Sequence, residues 1–248
     1  MLNNNNYIDI DLSVKDQYIY RIISVDRLYE LFSTNQNTLV SPKKWEDPFE
    51  NFILKSKARL HDGEIINFGF RDNFYGQCWT RHKASDAMWR IYSPNSKGVR
   101  IRTTITKLAS SLASGQEPWQ NIRCFIGKVK YLNNKKMMDF ANTVFIGKIN
   151  PEAYELAKTL LIKRPAFKHE NEVRILYFRS ENGNSGDIYK YEIEPHELID
   201  QIMIDPRLDY AEFKKMKLDI KSKTNFKGRV LRSLLYATPK DMIFPFGV

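Results

Sequence analysis

Apolar and polar residues alternate through QYIYRII (Gln17–Ile23), the two-residue period of a strand. The run ends at Ser24, a helix-capping residue type, and VDRLYELFS then sets Val25, Leu28, Leu31 and Phe32 on one helical face. TNQNT is a polar turn leading into the short apolar stretch LVS. YGQCWT reads as a buried strand, Ser85 as the cap of a helix DAMWRIY, and GVRIR as a strand. TKLASSLASG follows as a helix stopped by Gly115. CFIGKVKYL alternates. NPEAYELAKTLLIK gives the clearest helical signal, with Asn150 as cap, Pro151 in the first position, glutamates early and lysines late. EVRILYF and IYKYEIE read as strands joined by a glycine-rich hairpin loop, ENGNSGD. DQIMID is a further strand, and DYAEFKKMKLDIKSK a helix opened by Asp209 and Glu212 at capping-box spacing. Helices and strands interleave without a regular βαβ rhythm. The expected class is α+β: a mixed or antiparallel central sheet with surrounding helices. Residues 1–17 are expected to be an N-terminal extension with a loose asparagine-rich start, and 18–248 a single α+β domain.

The strand pattern isolates one unusual stretch, FKHENEVRILYF, in which Glu170 and Glu172 flank a single asparagine at the mouth of an apolar run. If the strand begins that early, Glu170, Glu172, Arg174, Leu176 and Phe178 share one face, successive members about 6–7 Å apart. Val173, Ile175 and Tyr177 take the other. Both faces are apolar further along, so the strand is expected to be central, with the glutamates at one end where a cleft opens. The plain alternative is a solvated strand end in which Arg174 pairs with one of them.

Composition narrows the remaining choices. The chain has 248 residues, 42% of them hydrophobic, enough for a core without metal or disulfide staples. Cys78 and Cys124 are far apart and fit no metal spacing, as expected for reduced thiols of a cytoplasmic protein. The start MLNNNNYIDIDLS has no basic segment and no long apolar run, so no signal peptide is expected, and no segment approaches the length of a membrane span. No GxGxxG or GxxxxGK[ST] occurs, which argues against Rossmann and P-loop sites. The net charge of +10 suits an anionic partner such as nucleic acid or an acidic protein, with Lys163, Arg164 and Lys168 as a candidate basic surface.

Four stretches, WEDPFE (Trp45–Glu50), CWT with MWRIYS (Met88–Ser93), KGVRI (Lys97–Ile101) and KHENEVRIL, resemble a bacterial family filed as domain of unknown function 2971 and related to abortive-infection proteins of the AbiG type. The resemblance runs from about Tyr18 to Tyr236. More distantly, the layout is similar to NAD-dependent ADP-ribosyltransferases, which carry an Arg or His on a first strand, a Ser or Thr on a second, and a catalytic Glu, often as ExE, on a later one. That resemblance implies NAD as substrate, with no metal, and a macromolecular acceptor, nucleic acid or protein. It implies Glu172 stabilising an oxocarbenium-like ribose, Glu170 orienting or deprotonating the acceptor, Arg21 or Tyr20 holding NAD, and Thr80 fixing a glutamate rotamer. Trp79 or Tyr92 would stack on the nicotinamide. In WEDPFE, Pro48 turns Asp47 away from helix, Trp45 and Phe49 pin the turn to the core, and Asp47 and Glu50 line the cleft. The expected biology is phage defence or toxin action. A second reading remains open: a nucleic-acid-binding protein or nuclease with Asp47, Glu50, Glu170 and Glu172 as Mg²⁺ ligands.

Overall fold

The computed structural model describes residues 2–14, 17–59, 62–67, 72–114, 123–145, 151–179, 186–237 and 243–244. The chain starts with a short 3-10 turn, Asn4–Asn6, and strand β1 (Tyr7–Ile8). This start is not loose. Asn6 is buried and its side-chain amide donates to the Cys124 carbonyl at 2.7 Å. Strand β2 (Tyr18–Ser24) passes directly into helix α1 (Val25–Thr34), capped by the Ser24 hydroxyl as expected. Asn35 closes α1 in the left-handed conformation, and β3 (Gln36–Val40) begins at once, earlier than the polarity of TNQNT suggested. After the short helix α2 (Phe52–Lys55) and a small ribbon of β4 (Lys57–Arg59) and β5 (Ile65–Asn67), strand β6 (Phe74–Thr80) enters the core.

Helix α3 (Asp86–Tyr92) is capped by Ser85, and β7 (Gly98–Thr104) leads into α4 (Ile105–Ser114). Gly115, the expected stop of α4, lies outside the described residues. CFIGKVKYL divides into β8 (Cys124–Lys128) and β9 (Lys130–Tyr131), ahead of α5 (Asn134–Phe145). The strongest helical signal yields a short helix, α6 (Ala153–Thr159), with Glu152 rather than Asn150 as cap; Asn150 is outside the described residues. Its expected last turn is strand instead, β10 (Ile162–Lys163), which pairs parallel with β9. Strand β11 (Glu172–Phe178), β12 (Ile188–Glu192), α7 (Pro195–Leu198), β13 (Gln201–Ile204), α8 (Tyr210–Thr224) and β14 (Arg229–Arg232) complete the chain. The Asp209–Glu212 capping box of α8 is formed.

These elements make the expected α+β architecture around one mixed sheet. Its order is β1-β8-β11-β6-β2-β7-β13-β14, with β1–β8 and β13–β14 parallel and the other neighbours along this path antiparallel. Strand β11 is central. Val173, Ile175 and Tyr177 join the larger core cluster on one face, and Leu176 packs in a second cluster on the other. The hairpin expected between β11 and β12 is not formed: β12 pairs with β3, and residues 180–185 of the connection lie outside the described set.

One edge of β6 is shared by two strands. Near one end Thr80 pairs with Tyr20 of β2; near the other Gly76 pairs with Val40 of β3. Between these points the sheet forks, and Gln77, Cys78 and Trp79 face the opening.

Candidate active site

Two cavities open in the fork. The larger, about 470 Å³, is lined by Arg21, Arg27 and Glu30 from β2 and α1, by Asn37 and Thr38 of β3, and by Gln77, among others. The smaller, about 130 Å³, is lined by Tyr20, Arg21, Ile22, Cys78, Trp79, Thr80, Met88, Tyr92 and Glu172. Arg21 belongs to both.

Register explains the smaller cavity. Tyr20 lies opposite Thr80, and Thr80 opposite Glu172, so their side chains form a row on one face across β2, β6 and β11. Alternation puts Arg21 on the other face, beside Ile101. Arg21, Thr80 and Glu172 all line the smaller cavity, but Arg21 belongs to the opposite sheet face from the other two. The Arg21 guanidinium has no hydrogen-bond or ion-pair partner among the described residues. Burial lowers its pKa from the ordinary arginine value, because the charge is poorly solvated and no carboxylate answers it.

The glutamate wall is the opposite case. Glu170 is not on the strand: it ends a 3-10 helix (Pro165–Glu170), and Asn171, left-handed at φ 44°, turns the chain into β11 at Glu172. The expectation of one strand face presenting both carboxylates is therefore corrected. Both are nevertheless buried and meet through a third residue, Lys163 of β10. The Lys163 ammonium lies 2.7 Å from Glu50, 2.5 Å from Glu170 and 3.7 Å from Glu172 Oε1. Arg174, fully buried, contacts Glu172 Oε2 at 2.6 Å and Glu50 Oε2 at 3.1 Å. It also donates to the Leu160 carbonyl at 2.8 Å and stacks on Trp45 at 4.4 Å. Gly76 makes room for that stack, since a Cβ there would sit 2.9 Å from Trp45 Cζ2.

Glu50, Lys163, Glu172 and Arg174 thus form a closed ring of alternating charge, with Glu170 attached to Lys163. Burial pulls the Lys163 pKa down, but the carboxylates around it raise it further, and the net shift is upward. Burial and the neighbouring Glu172 charge raise Glu170 above the usual carboxylate range, against the pull of hydrogen bonds from Lys163 and Tyr92. The Tyr92 hydroxyl donates to Glu170 Oε1 at 3.2 Å.

Other expected site residues divide. Thr80 holds the backbone of Glu170, its hydroxyl donating to that carbonyl at 2.6 Å, rather than a glutamate side chain. Trp79 lines the small cavity yet is core-packed, with its indole N–H donating to Gln77 at 2.7 Å. Tyr20 is buried beneath the Arg100 guanidinium at 4.6 Å. Asp47 lines neither cavity: it is buried and held by Arg164 at 2.8 Å, and Phe49, expected in the core, is exposed with Arg164 over its ring at 4.5 Å. Lys163 and Arg164 are therefore not a basic surface; of that trio only Lys168 is exposed. The acids proposed as Mg²⁺ ligands are already occupied by the chain's own cations, and the Lys163 ammonium fills the place between Glu50, Glu170 and Glu172. Sequence reasoning missed Glu50, Lys163 and Arg174 as one unit. The available signal was a lysine ending the apolar run TLLIK, which demands a buried counter-charge.

A family model described as a protein of unknown function (DUF2971) matches residues 88–175, from α3 to β11. Among solved structures, the chain is similar to Thermus sp. 2.9 DarT in complex with NAD+, at 11% identity over 89% of this chain and 96% of that one, with a TM-score of 0.41. It is likewise similar to Thermus sp. 2.9 DarT in complex with ADP-ribosylated ssDNA, at 10% identity over 89% and 95%, with a TM-score of 0.42. No curated protein matches the chain.

Proposed function

We propose that this chain is an ADP-ribosyltransferase-like enzyme that cleaves NAD and passes ADP-ribose to a macromolecule. The observation supporting it is the forked sheet: an arginine without a partner among the described residues and a charge-supported glutamate line one cavity. Arg21 is a preformed site for an anion, and its planar fork of donors suits a pyrophosphate or ribose oxygens. Glu172 lines the cavity; its Oε2 is tied to Arg174, while Oε1 has no hydrogen-bond donor among the described residues and lies 3.7 Å from the Lys163 ammonium.

In the reaction the glycosidic C–N bond breaks and its electron pair goes to the nicotinamide nitrogen, neutralising the ring. Glu172 stabilises the positive charge that develops on the ribose, as carboxylates do in glycoside cleavage. The acceptor then forms the new bond, and its proton passes to Glu170, a carboxylate whose pKa burial and the Glu172 charge raise. Tyr92 orients Glu170 through its hydroxyl.

For the acceptor, basic charge is concentrated away from the glutamate wall. Between Asp209 and Arg232 the chain has eight lysines and arginines against three acids. Helix α8 packs beside α1, with Asp219 accepting from the Tyr29 hydroxyl at 2.6 Å, and α1 lines the larger cavity. A nucleic acid lying on α8 would be close to that cavity. Such a modification inside a cell arrests growth, the result a phage-defence protein or toxin delivers.

The test is nicotinamide release from NAD by the wild type and by Arg21→Met, with thermal shift in parallel. NAD at 100 times its Kd should stabilise the wild type by about 2.7 kcal/mol. A wild type that neither releases nicotinamide nor is stabilised by NAD, while responding to Mg²⁺, would overturn the reading. Growth arrest on expression of the wild type but not of Arg21→Met would support the cellular role.

A further inference from the structure

The buried charge ring has a member that the transferase reading leaves unused. Glu50 sits in the loop WEDPFE, far in sequence from β10 and β11, and its side chain is only 7% exposed. One of its oxygens takes the Lys163 ammonium and the other takes Arg174 Nη2. Glu170 takes Lys163 from a second direction. The result is an unequal division of one cation: Lys163 lies within 2.7 Å of Glu50 and Glu170 but 3.7 Å from Glu172 Oε1. At that separation the ammonium and Oε1 attract electrostatically without a hydrogen bond. Oε1 thereby keeps its acceptor capacity in a place where a lysine would otherwise use it.

We infer that Glu50 is a positioning residue which holds Lys163 away from Glu172 and so leaves Oε1 open to a ligand hydroxyl. The inference rests on the transferase reading for what Oε1 does, but the geometry of the ring stands apart from it. It also gives a purpose to the anchoring of the WEDPFE loop by the Asp47–Arg164 pair and by Trp45 stacked on Arg174. With Glu50 neutral, Lys163 and Arg174 have two carboxylates to share instead of three. Lys163 then closes on Oε1, and the carboxylate is bound by the protein rather than by substrate.

The experiment compares wild type, Glu50→Gln, and Glu50→Gln with Lys163→Met. Activity is read as kcat and KM for nicotinamide release, and the ring as the ¹³C carboxylate chemical shift of Glu172 at one fixed pH. Folded fraction is measured throughout by denaturant midpoint. Glu50→Gln should lower kcat at least about tenfold with KM little changed, since a small misplacement of a reacting group has effects of this size. In Glu50→Gln the ¹³C carboxylate signal of Glu172 should move from its wild-type position, because the Lys163 ammonium then bonds Oε1 directly. Removing the ammonium as well should recover much of the kcat and reverse that move; a purely structural role predicts further loss. The double variant also keeps the count of buried charges balanced, so it serves where Glu50→Gln folds poorly. If the wild type releases no nicotinamide, the transferase reading fails, and the Glu172 carboxylate signal alone decides the role of Glu50. A folded Glu50→Gln protein with the wild-type Glu172 carboxylate signal overturns the inference whatever its activity.

Discussion

Arg21 and Arg174 are two arginines on strands of the same sheet, separated only by β6, and they live in opposite environments. Arg174 has Glu172, Glu50, the Leu160 carbonyl and the face of Trp45. Arg21 has a cavity on each side and no partner among the described residues. Burying a guanidinium is costly unless hydrogen bonds and counter-charges replace water. The ring around Arg174 supplies that replacement from the protein, which marks it as architecture. Around Arg21 the replacement is missing, so an anionic ligand gains what the fold does not provide. Of two residues of the same type, the less satisfied one is the better guide to a binding site.

Substituting the two arginines separates these roles. Arg174→Met should destabilise by about 3–5 kcal/mol, because Glu172 and Glu50 would be left buried and short of counter-charge; denaturant midpoints measure it. Arg21→Met should not destabilise, since it removes a buried charge that no described residue answers, yet it should reduce nicotinamide release at least about 100-fold, the scale of losing one preorganised electrostatic contact. A strongly destabilised Arg21→Met would make the comparison false. For the same reason Glu172→Gln is a poor first test: it breaks a buried ion pair, so lost activity would be mixed with lost folding.

Two smaller effects sharpen the picture. Reversing Lys214, Lys215 and Lys217 to Glu on the exposed side of α8 should weaken oligonucleotide binding and flatten its salt dependence, since fewer condensed counterions are released. Nicotinamide release without an acceptor should be unaffected. Unchanged binding, with unchanged slope between about 50 and 200 mM salt, would remove α8 as the acceptor surface.

The smallest effect concerns pH. Glu170 has a pKa raised above its unfolded value of 4.5, so the folded state holds its proton longer than the unfolded one. Stability from this group is full below that value and is lost as pH rises through the folded pKa. Glu170→Gln should therefore flatten the decline in denaturant midpoint as pH rises above 4.5. An identical decline in both proteins would mean that Glu170 does not retain its proton on folding.

Local signals in the sequence were sufficient for much of the framework. Ser24 and Ser85 cap the helices they precede, the Asp209–Glu212 box opens α8, and the apolar run after Glu172 is a central strand. These depend on residues within a few positions of one another, so periodicity and capping chemistry reveal them. TLLIK misled for the same reason: it continues a helical pattern locally, but pairing of Ile162 and Lys163 with β9 makes it strand. Glu170 misled too, because a left-handed Asn171 separates it from the strand that alternation alone would have extended.

The sequence by itself singled out three residues that line the smaller cavity: Thr80 ending β6, Arg21 in β2 and Glu172 opening β11. Tertiary structure alone decided what they can do. The fork arises because one strand edge is shared between β2 and β3, a pairing between segments distant in the chain. The charge ring joins Glu50, Lys163, Glu172 and Arg174 from three separate stretches. A buried charge is settled by whatever groups surround it in space, and sequence spacing holds no record of that distance.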